Sequence, residues 1–304
     1  MLLSILANLI GLYGLIALPV IITQTIDVSR YQETGQISLL ERIHQPGAPI
    51  RKNNKSLGIE ITAGSAIIAD KKTGMILWQK NPAEVRPLAS LTKLMSALVF
   101  LNNNPGWETE VTILTSDYRE GGRIYVYPGE KISAKDLFYA SLVASSNNAT
   151  VALARSTGLT AEEFVQQMNE TARQLGLAQS HFIEPTGLDP QNATTADDLL
   201  KLIHAAFSRP EIIQATSQAE YSFKVINAPR NYTLKNTDKL LSGYLNILAG
   251  KTGYLDEAGY CLASLVKGQD GQEIYIVVLG SDSETNRFQE VKALAQWAFD
   301  NYIW

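Results

Sequence analysis

The spacing of apolar residues changes character several times along the chain, and each change predicts a different element. Residues 2–22 carry no charged side chain and would extend about 30 Å as a helix, enough to cross a bilayer core. No small-residue cleavage pattern follows, so a retained membrane-spanning helix is predicted over 1–23. Residues 24–58 then mix polar side chains with Pro46, Gly47, Pro49 and the run Arg51-Lys52-Asn53-Asn54-Lys55, which predicts a linker.

Two short apolar runs, 66–69 and 75–78, flank Lys72-Thr73-Gly74 and predict a hairpin closed by a tight turn. Leu91, Leu94, Met95, Leu98 and Val99 recur at three- and four-residue spacing and predict an amphipathic helix, with Pro87 as its upstream start signal. Helical patterns continue to about residue 207, and strand patterns resume near Tyr221. The runs 261–266 and 274–279 surround Gly268-Gln269-Asp270-Gly271 as a second hairpin, and a closing helix is predicted over 288–302. Strands at both ends of a helical middle section predict one α+β domain over 59–304, an antiparallel sheet flanked by helices.

With 304 residues, 45% hydrophobic and 18% charged, the chain has material for one large or two modest globular domains. Its net charge of −4 argues against a nucleic-acid partner. The single cysteine, Cys261, cannot form an internal disulfide and falls in an apolar strand, where it reads as a core residue. Of the three histidines, His44 lies in the linker, His181 at a turn and His204 on a helix. No G-x-S-x-G elbow accompanies them, which argues against a Ser-His-Asp hydrolase, and no metal site is expected.

The candidate chemistry begins at Ser90-Leu91-Thr92-Lys93. Residues three apart on a helix share a face, so the Lys93 amine can reach the Ser90 hydroxyl as its base. In the first helical turn Ser90 would also meet unpaired backbone N–H groups suited to an oxyanion. Such a lysine must lose its proton near neutral pH, through burial or a neighbouring cation such as a second lysine. The same spacing recurs at Ser264 and Lys267, but on a strand, where residues three apart point to opposite faces. A polar cluster, Ser145-Ser146-Asn147-Asn148, interrupts helical stretches and by itself reads as a cap or loop. Gly250-Lys251-Thr252-Gly253-Tyr254, followed by Ala258-Gly259-Tyr260, leads into the second hairpin and puts a lysine and a hydroxyl on its first strand.

The order S-x-x-K, S-x-N, K-T-G resembles that of penicillin-recognising serine enzymes. From about Ile61 to the C-terminus the chain is similar to the low-molecular-mass penicillin-binding proteins, the D-alanyl-D-alanine carboxypeptidase/endopeptidase family. Linking segments match as well: Pro128-Gly129-Glu130, the stretch from His181 through Glu184-Pro185-Thr186-Gly187-Leu188 to Asp189, and Ala258-Gly259-Tyr260.

The resemblance implies a β-lactamase/transpeptidase-like fold with a helical subdomain and no cofactor. It implies that Ser90 forms the acyl-enzyme, Lys93 takes its proton, Ser145 relays a proton to the departing amine and Asn147 orients the substrate amide and Lys93. Lys251 would hold down the Lys93 pKa and attract the substrate carboxylate, which Thr252 also binds, beside Gly253 and Tyr254. The backbone N–H groups of Ser90 and Tyr254 would form the oxyanion hole. Ser146 and Asn148 also satisfy S-x-N; the Ser145 frame keeps the following residues in the family's register and leaves Asn148 where relatives often carry Asp.

The implied activity is removal of the terminal D-alanine from peptidoglycan stem peptides, with D,D-endopeptidase cleavage of cross-links as the alternative. β-Lactams would acylate the same serine, and the domain would lie on the extracytoplasmic side of a bacterial membrane. A class A β-lactamase needs a glutamate that activates the deacylating water. Glu184 is the candidate for that role, yet its segment matches the peptidases and reads as a structural loop. An inactive wall-binding module is the non-enzymatic alternative, disfavoured by three intact motifs. No C-terminal β-rich domain is expected after the closing helix.

Overall fold

The computed structural model describes residues 47–53, 56, 58–122 and 124–304. The predicted membrane-spanning helix and most of the predicted linker lie outside these residues, and among the described residues no helix is long and apolar enough to cross a membrane.

Five strands make the central sheet: β1 (Ser65–Asp70), β2 (Ile76–Lys80), β3 (Asn246–Leu255), β4 (Gly259–Lys267) and β5 (Glu273–Ser281). Their order is β3-β4-β5-β1-β2, antiparallel throughout. The two predicted hairpins thus meet along β5 and β1, where Ile276 lies opposite Ile68 and Val277 opposite Ile67. Every residue of β1 is buried, because both faces of the sheet are covered. Ala66 and Ile68 join Ile276 and Val278 under one helix, α7 (Glu284–Asn301), through its Phe288, Val291 and Leu294. Ile67, Tyr275 and Val277 face the other way into a larger helical core. The period-2 alternation of a strand therefore feeds two separate cores.

The larger core is built from α1 (Thr92–Asn102), α2 (Ala134–Val143), α3 (Asn147–Ser156), α4 (Ala161–Gln174), α5 (Ala196–Ala206) and α6 (Pro210–Thr216). Hydroxyl caps start most of them: Ser133, Ser146, Thr160 and Thr195 each accept a backbone N–H from the first turn, and Thr160 with Glu163 completes a capping box. Residues 92–100 of α1 are all buried, so this helix is enclosed rather than amphipathic. The expectation of a one-sided helix came from the spacing of Leu91, Leu94, Met95, Leu98 and Val99; Lys93 and Ser96 turn out to face the interior as well.

Other expectations shift. The strand pattern near Tyr221 forms a hairpin, 220–224 with 231–235, paired only with itself and outside the central sheet. Ile50 and Arg51, within the predicted linker, pair antiparallel with Ile303 and Tyr302, so the folded domain begins before residue 59. Main-chain pairing there needs no apolar pattern, which is why the sequence reads as linker. The closing helix starts at Glu284, four residues before Phe288, capped by Ser283. Cys261 is buried, and Lys72-Thr73-Gly74 is the turn of the first hairpin, with Asp70 accepting from Thr73 N and Oγ1.

Ile68 is fully buried between the sheet and α7. Ile68→Ala should lower unfolding stability by about 2–5 kcal/mol, measured by urea denaturation of the full chain.

Candidate active site

Ser90 stands at a change of backbone direction. Ala89 has φ +47°, residues Ala89–Leu91 form one 3-10 turn, and α1 begins only at Thr92. Ser90 thus precedes the α-helix instead of sitting in its first turn. Two other segments pack closely against this turn. A Cβ on Gly253 of β3 would lie 3.0 Å from Leu88 O and 3.3 Å from Ser90 N, and one on Gly187 would meet Ala89 O at 1.8 Å. These glycines let β3 and the 184–188 loop press against the turn, and Gly187 itself has φ +84°.

The amine of Lys93 has no exposure at all. Its Nζ lies 2.9 Å from Ser90 Oγ, 2.7 Å from Asn147 Oδ1 and 2.6 Å from Thr186 O. Asn147 Nδ2 donates to Gly121 O at 2.9 Å, which fixes the amide so that Oδ1 faces the lysine. The carbonyl oxygens of Asn147 and Thr186 can only accept. A neutral Lys93 gives them its two hydrogens and keeps its lone pair for the Ser90 O–H, the arrangement a general base requires.

Burial pulls the Lys93 pKa down to about 7, against an opposing attraction from Glu184. Loss of hydration is thus the first cause of the shift, and the like charge of Lys251, which the sequence suggested, acts in the same direction because the two buried amines repel each other. Lys251 is itself pushed well below the ordinary lysine range, first by burial and then by the like charges of Lys93 and Arg287. Its Nζ donates to Ser145 Oγ at 2.8 Å and Thr252 O at 3.0 Å.

The two S-x-N frames make different contacts. Ser145, at φ +57° between α2 and α3, reaches Lys251, and Asn147 reaches Lys93. Ser146 instead caps α3, and Asn148 Oδ1 accepts Arg119 N at 2.9 Å. Left-handed backbone at non-glycine residues costs about 1–3 kcal/mol, and Ala89 and Ser145 both adopt it beside the reacting groups.

All eight predicted residues converge. Ser90, Ser145, Asn147, Thr252, Gly253 and Tyr254 line a cavity of about 430 Å³, with Lys93 and Lys251 buried behind its wall. Thr252 Oγ1 donates to Thr237 Oγ1 at 2.6 Å. Arg287 of α7 also lines the cavity, donating to Gly253 O at 2.9 Å. Thr186, Thr237 and Arg287 escape sequence reasoning because no spacing ties them to the three motifs; only proximity in the fold does.

Glu184 is occupied as a loop brace. Its carboxylate accepts from Thr186 N at 2.7 Å, from Thr186 Oγ1 at 2.6 Å and from Asn192 Nδ2 at 2.9 Å, holding the carbonyl that meets Lys93. His181 and His204 lie outside the cavity lining, His204 edge-on to Tyr275; His44 lies outside the described residues. Ser264 and Lys267 sit on β4, one buried and one partly exposed, as a strand demands.

A sequence profile of the D-alanyl-D-alanine carboxypeptidase family matches residues 50–283. The chain belongs to this family. As a serine-type DD-peptidase with the penicillin-binding fold, it acts in peptidoglycan metabolism. It is 33% identical over 255 residues to a D-alanyl-D-alanine endopeptidase of Pseudomonas aeruginosa, covering 82% of this chain and 81% of that protein. It is 30% identical over 282 residues to a D-alanyl-D-alanine carboxypeptidase of Bacillus subtilis, covering 90% of this chain and 72% of that protein. The crystal structure of a Streptomyces DD-transpeptidase superposes with a TM-score of 0.77 at 27% identity, covering 81% of this chain and all of that one. The DD-peptidase fold thus matches the expected α+β architecture with its antiparallel five-stranded sheet.

With Lys93 near pKa 7, each pH unit below that value reduces its neutral fraction about tenfold. Labelling of Ser90 by a fluorescent penicillin should slow roughly tenfold from pH 6 to pH 5 and level off above about pH 8; a flat profile would exclude Lys93 as the base. Lys251→Ala should slow labelling of Ser90 by the same penicillin about 30-fold or more, as removal of one partner of a buried polar contact does.

Proposed function

We propose that this DD-peptidase is a D-Ala-D-Ala carboxypeptidase that hydrolyses the terminal D-alanine of peptidoglycan stem peptides. The observation that carries the reading is the Lys93 amine placed 2.9 Å from Ser90 Oγ in a cavity that also presents Thr252 and Arg287, with Lys251 bonded to Thr252 O behind its wall. A free carboxylate one residue beyond the scissile carbonyl needs a hydroxyl and cations at fixed distance. Its arrival beside Lys251 would raise that amine's pKa and favour its charged form, making the binding electrostatic.

In this reading Ser90 Oγ attacks the penultimate D-alanine carbonyl while its proton passes to Lys93. The oxyanion lies against the backbone N–H groups of Ser90 and Tyr254. As the C–N bond breaks, Ser145 hands its hydroxyl proton to the departing amine and is reprotonated by the proton Lys93 took from Ser90, so D-alanine leaves and Lys93 is neutral again. Water, deprotonated by Lys93, then hydrolyses the ester. Asn147 holds the substrate amide, and Gly253 keeps β3 close enough for backbone pairing with an extended peptide. A β-lactam would acylate Ser90 in place of the peptide. Residues 2–22, uncharged and apolar, would anchor the domain on the extracytoplasmic face of the membrane, where its polymer lies.

Cleavage of D,D cross-links is the second reading, supported by the similarity to a protein named D-alanyl-D-alanine endopeptidase. Incubating the purified full chain with a defined pentapeptide and a cross-linked muropeptide separates the two. Release of free D-alanine with cross-links intact is expected, and is abolished by Ser90→Ala. Loss of cross-links without D-alanine release would overturn the carboxypeptidase assignment.

A further inference from the structure

The segment Asn236-Thr237-Asp238 belongs to none of the three motifs, yet it is clasped against the strand that carries Lys251 and Thr252. Asn236 Nδ2 donates to Thr216 O at 3.3 Å and to Gln218 O at 2.8 Å, and Asn236 Oδ1 accepts Asp238 N at 2.8 Å. Thr237 N donates to Val143 O at 3.1 Å. Asp238 is buried, its Oδ1 accepts Leu240 N at 2.9 Å, and its Oδ2 takes the space that a Cβ on Gly250 would need. The chain is thus fixed on both sides of Thr237, and its side chain is delivered to the wall of the cavity that holds Ser90 and Thr252.

There it forms a pair of hydroxyls, with Thr252 Oγ1 donating to Thr237 Oγ1 at 2.6 Å. A hydroxyl has one hydrogen and a carboxylate has none to give, so in this arrangement the Thr252 hydrogen is already engaged. The hydrogen left to offer is that of Thr237, for which no acceptor appears among the described residues. A carboxylate oxygen at hydrogen-bonding distance from Thr252 Oγ1 would lie within about 5.5 Å of Thr237 Oγ1, so the two oxygens of one carboxylate can engage both side chains. Donation from Thr237 is strengthened by the bond it accepts from Thr252. Because the clasp holds Thr237 in place before substrate arrives, little ordering entropy opposes the contact.

We propose that Thr237 is a substrate-binding residue, a second hydroxyl that donates directly to the carboxylate of the residue leaving from the scissile bond. The proposal rests on the DD-peptidase reading of the cleft and adds to it a ligand that the motifs do not contain. The rival role is a positioning one, in which Thr237 only orients the Thr252 hydroxyl.

The test compares kcat/KM for an acyl-D-Ala-D-Ala peptide and for the same peptide ending in a primary amide, using the full chain as wild type, Thr237→Val, Thr237→Ser, Thr252→Val and the double variant. Thr237→Val should lower kcat/KM about tenfold on the free acid. On the amide the loss should be about threefold, since a neutral acceptor takes a weaker bond, and Thr237→Ser should restore both. Added to Thr252→Val, Thr237→Val should still cost the free acid about fivefold. No further loss in that background would overturn direct binding in favour of the positioning role. Equal losses on the two peptides, or a Thr237→Ser variant as impaired as Thr237→Val, would also overturn it. Should thermal melting show that Thr237→Val does not fold, Thr237→Ala carries the same comparisons. Wild-type turnover of neither peptide would overturn the proposal together with the reading it rests on.

Discussion

An ammonium withdrawn completely from water costs several kcal/mol unless it is paired or gives up its proton, and the interior of this domain is arranged around one that gives it up. Lys93 has no exposure, three oxygens within 2.9 Å and a pKa near 7. Each oxygen arrives on a different segment: Ser90 from the turn before α1, Asn147 from the start of α3 and Thr186 from the 184–188 loop. Those segments in turn need Gly187 for close approach, Glu184 to brace the loop and a left-handed Ser145 to bring α3 into place. The base is thus a product of the whole helical core, since no local interaction would keep water from a lysine amine.

The sheet supplies what the helical core cannot, a straight edge. β3 is the outermost strand of a five-stranded sheet whose centre is β5 and β1, the pairing of two hairpins from opposite ends of the chain. Burial of both faces of β1 by α7 and by the larger core makes that pairing rigid. Rigidity passes through β4 to Lys251, Thr252 and Gly253, which then stand at constant distance from Ser90. α7 belongs to both tasks: its apolar face seals one side of the sheet, and its first turn carries Glu284 and Arg287 into the cleft.

Much of this was legible beforehand. The convergence of Ser90, Lys93, Ser145, Asn147 and Lys251 is what the family resemblance implies, while the two hairpins, the buried Cys261 and the turn at Lys72-Thr73-Gly74 follow from periodicity and turn residues. Such signals are short-range, carried by residues within a few positions of one another. The readings that changed concern contacts between distant segments. Ser90 stands in a 3-10 turn just before the α-helix, packed against by Gly253 and Gly187, 163 and 97 positions away in sequence. Ile50 and Arg51 left the linker because they found the backbone of Tyr302 and Ile303.

The sequence by itself determined which side chains can do chemistry and which strands and helices carry them, because side-chain type, turn residues and apolar period are properties of local stretches. It did not determine the charge state of the base. Two lysines on the page suggested mutual repulsion as the agent that frees Lys93 of its proton; in the packed structure burial is the first cause, and repulsion between the two amines adds to it. Hydration is lost only when segments from the entire chain close over an amine, so the acidity of Lys93, and with it the reactivity of Ser90, was decided by the tertiary structure alone.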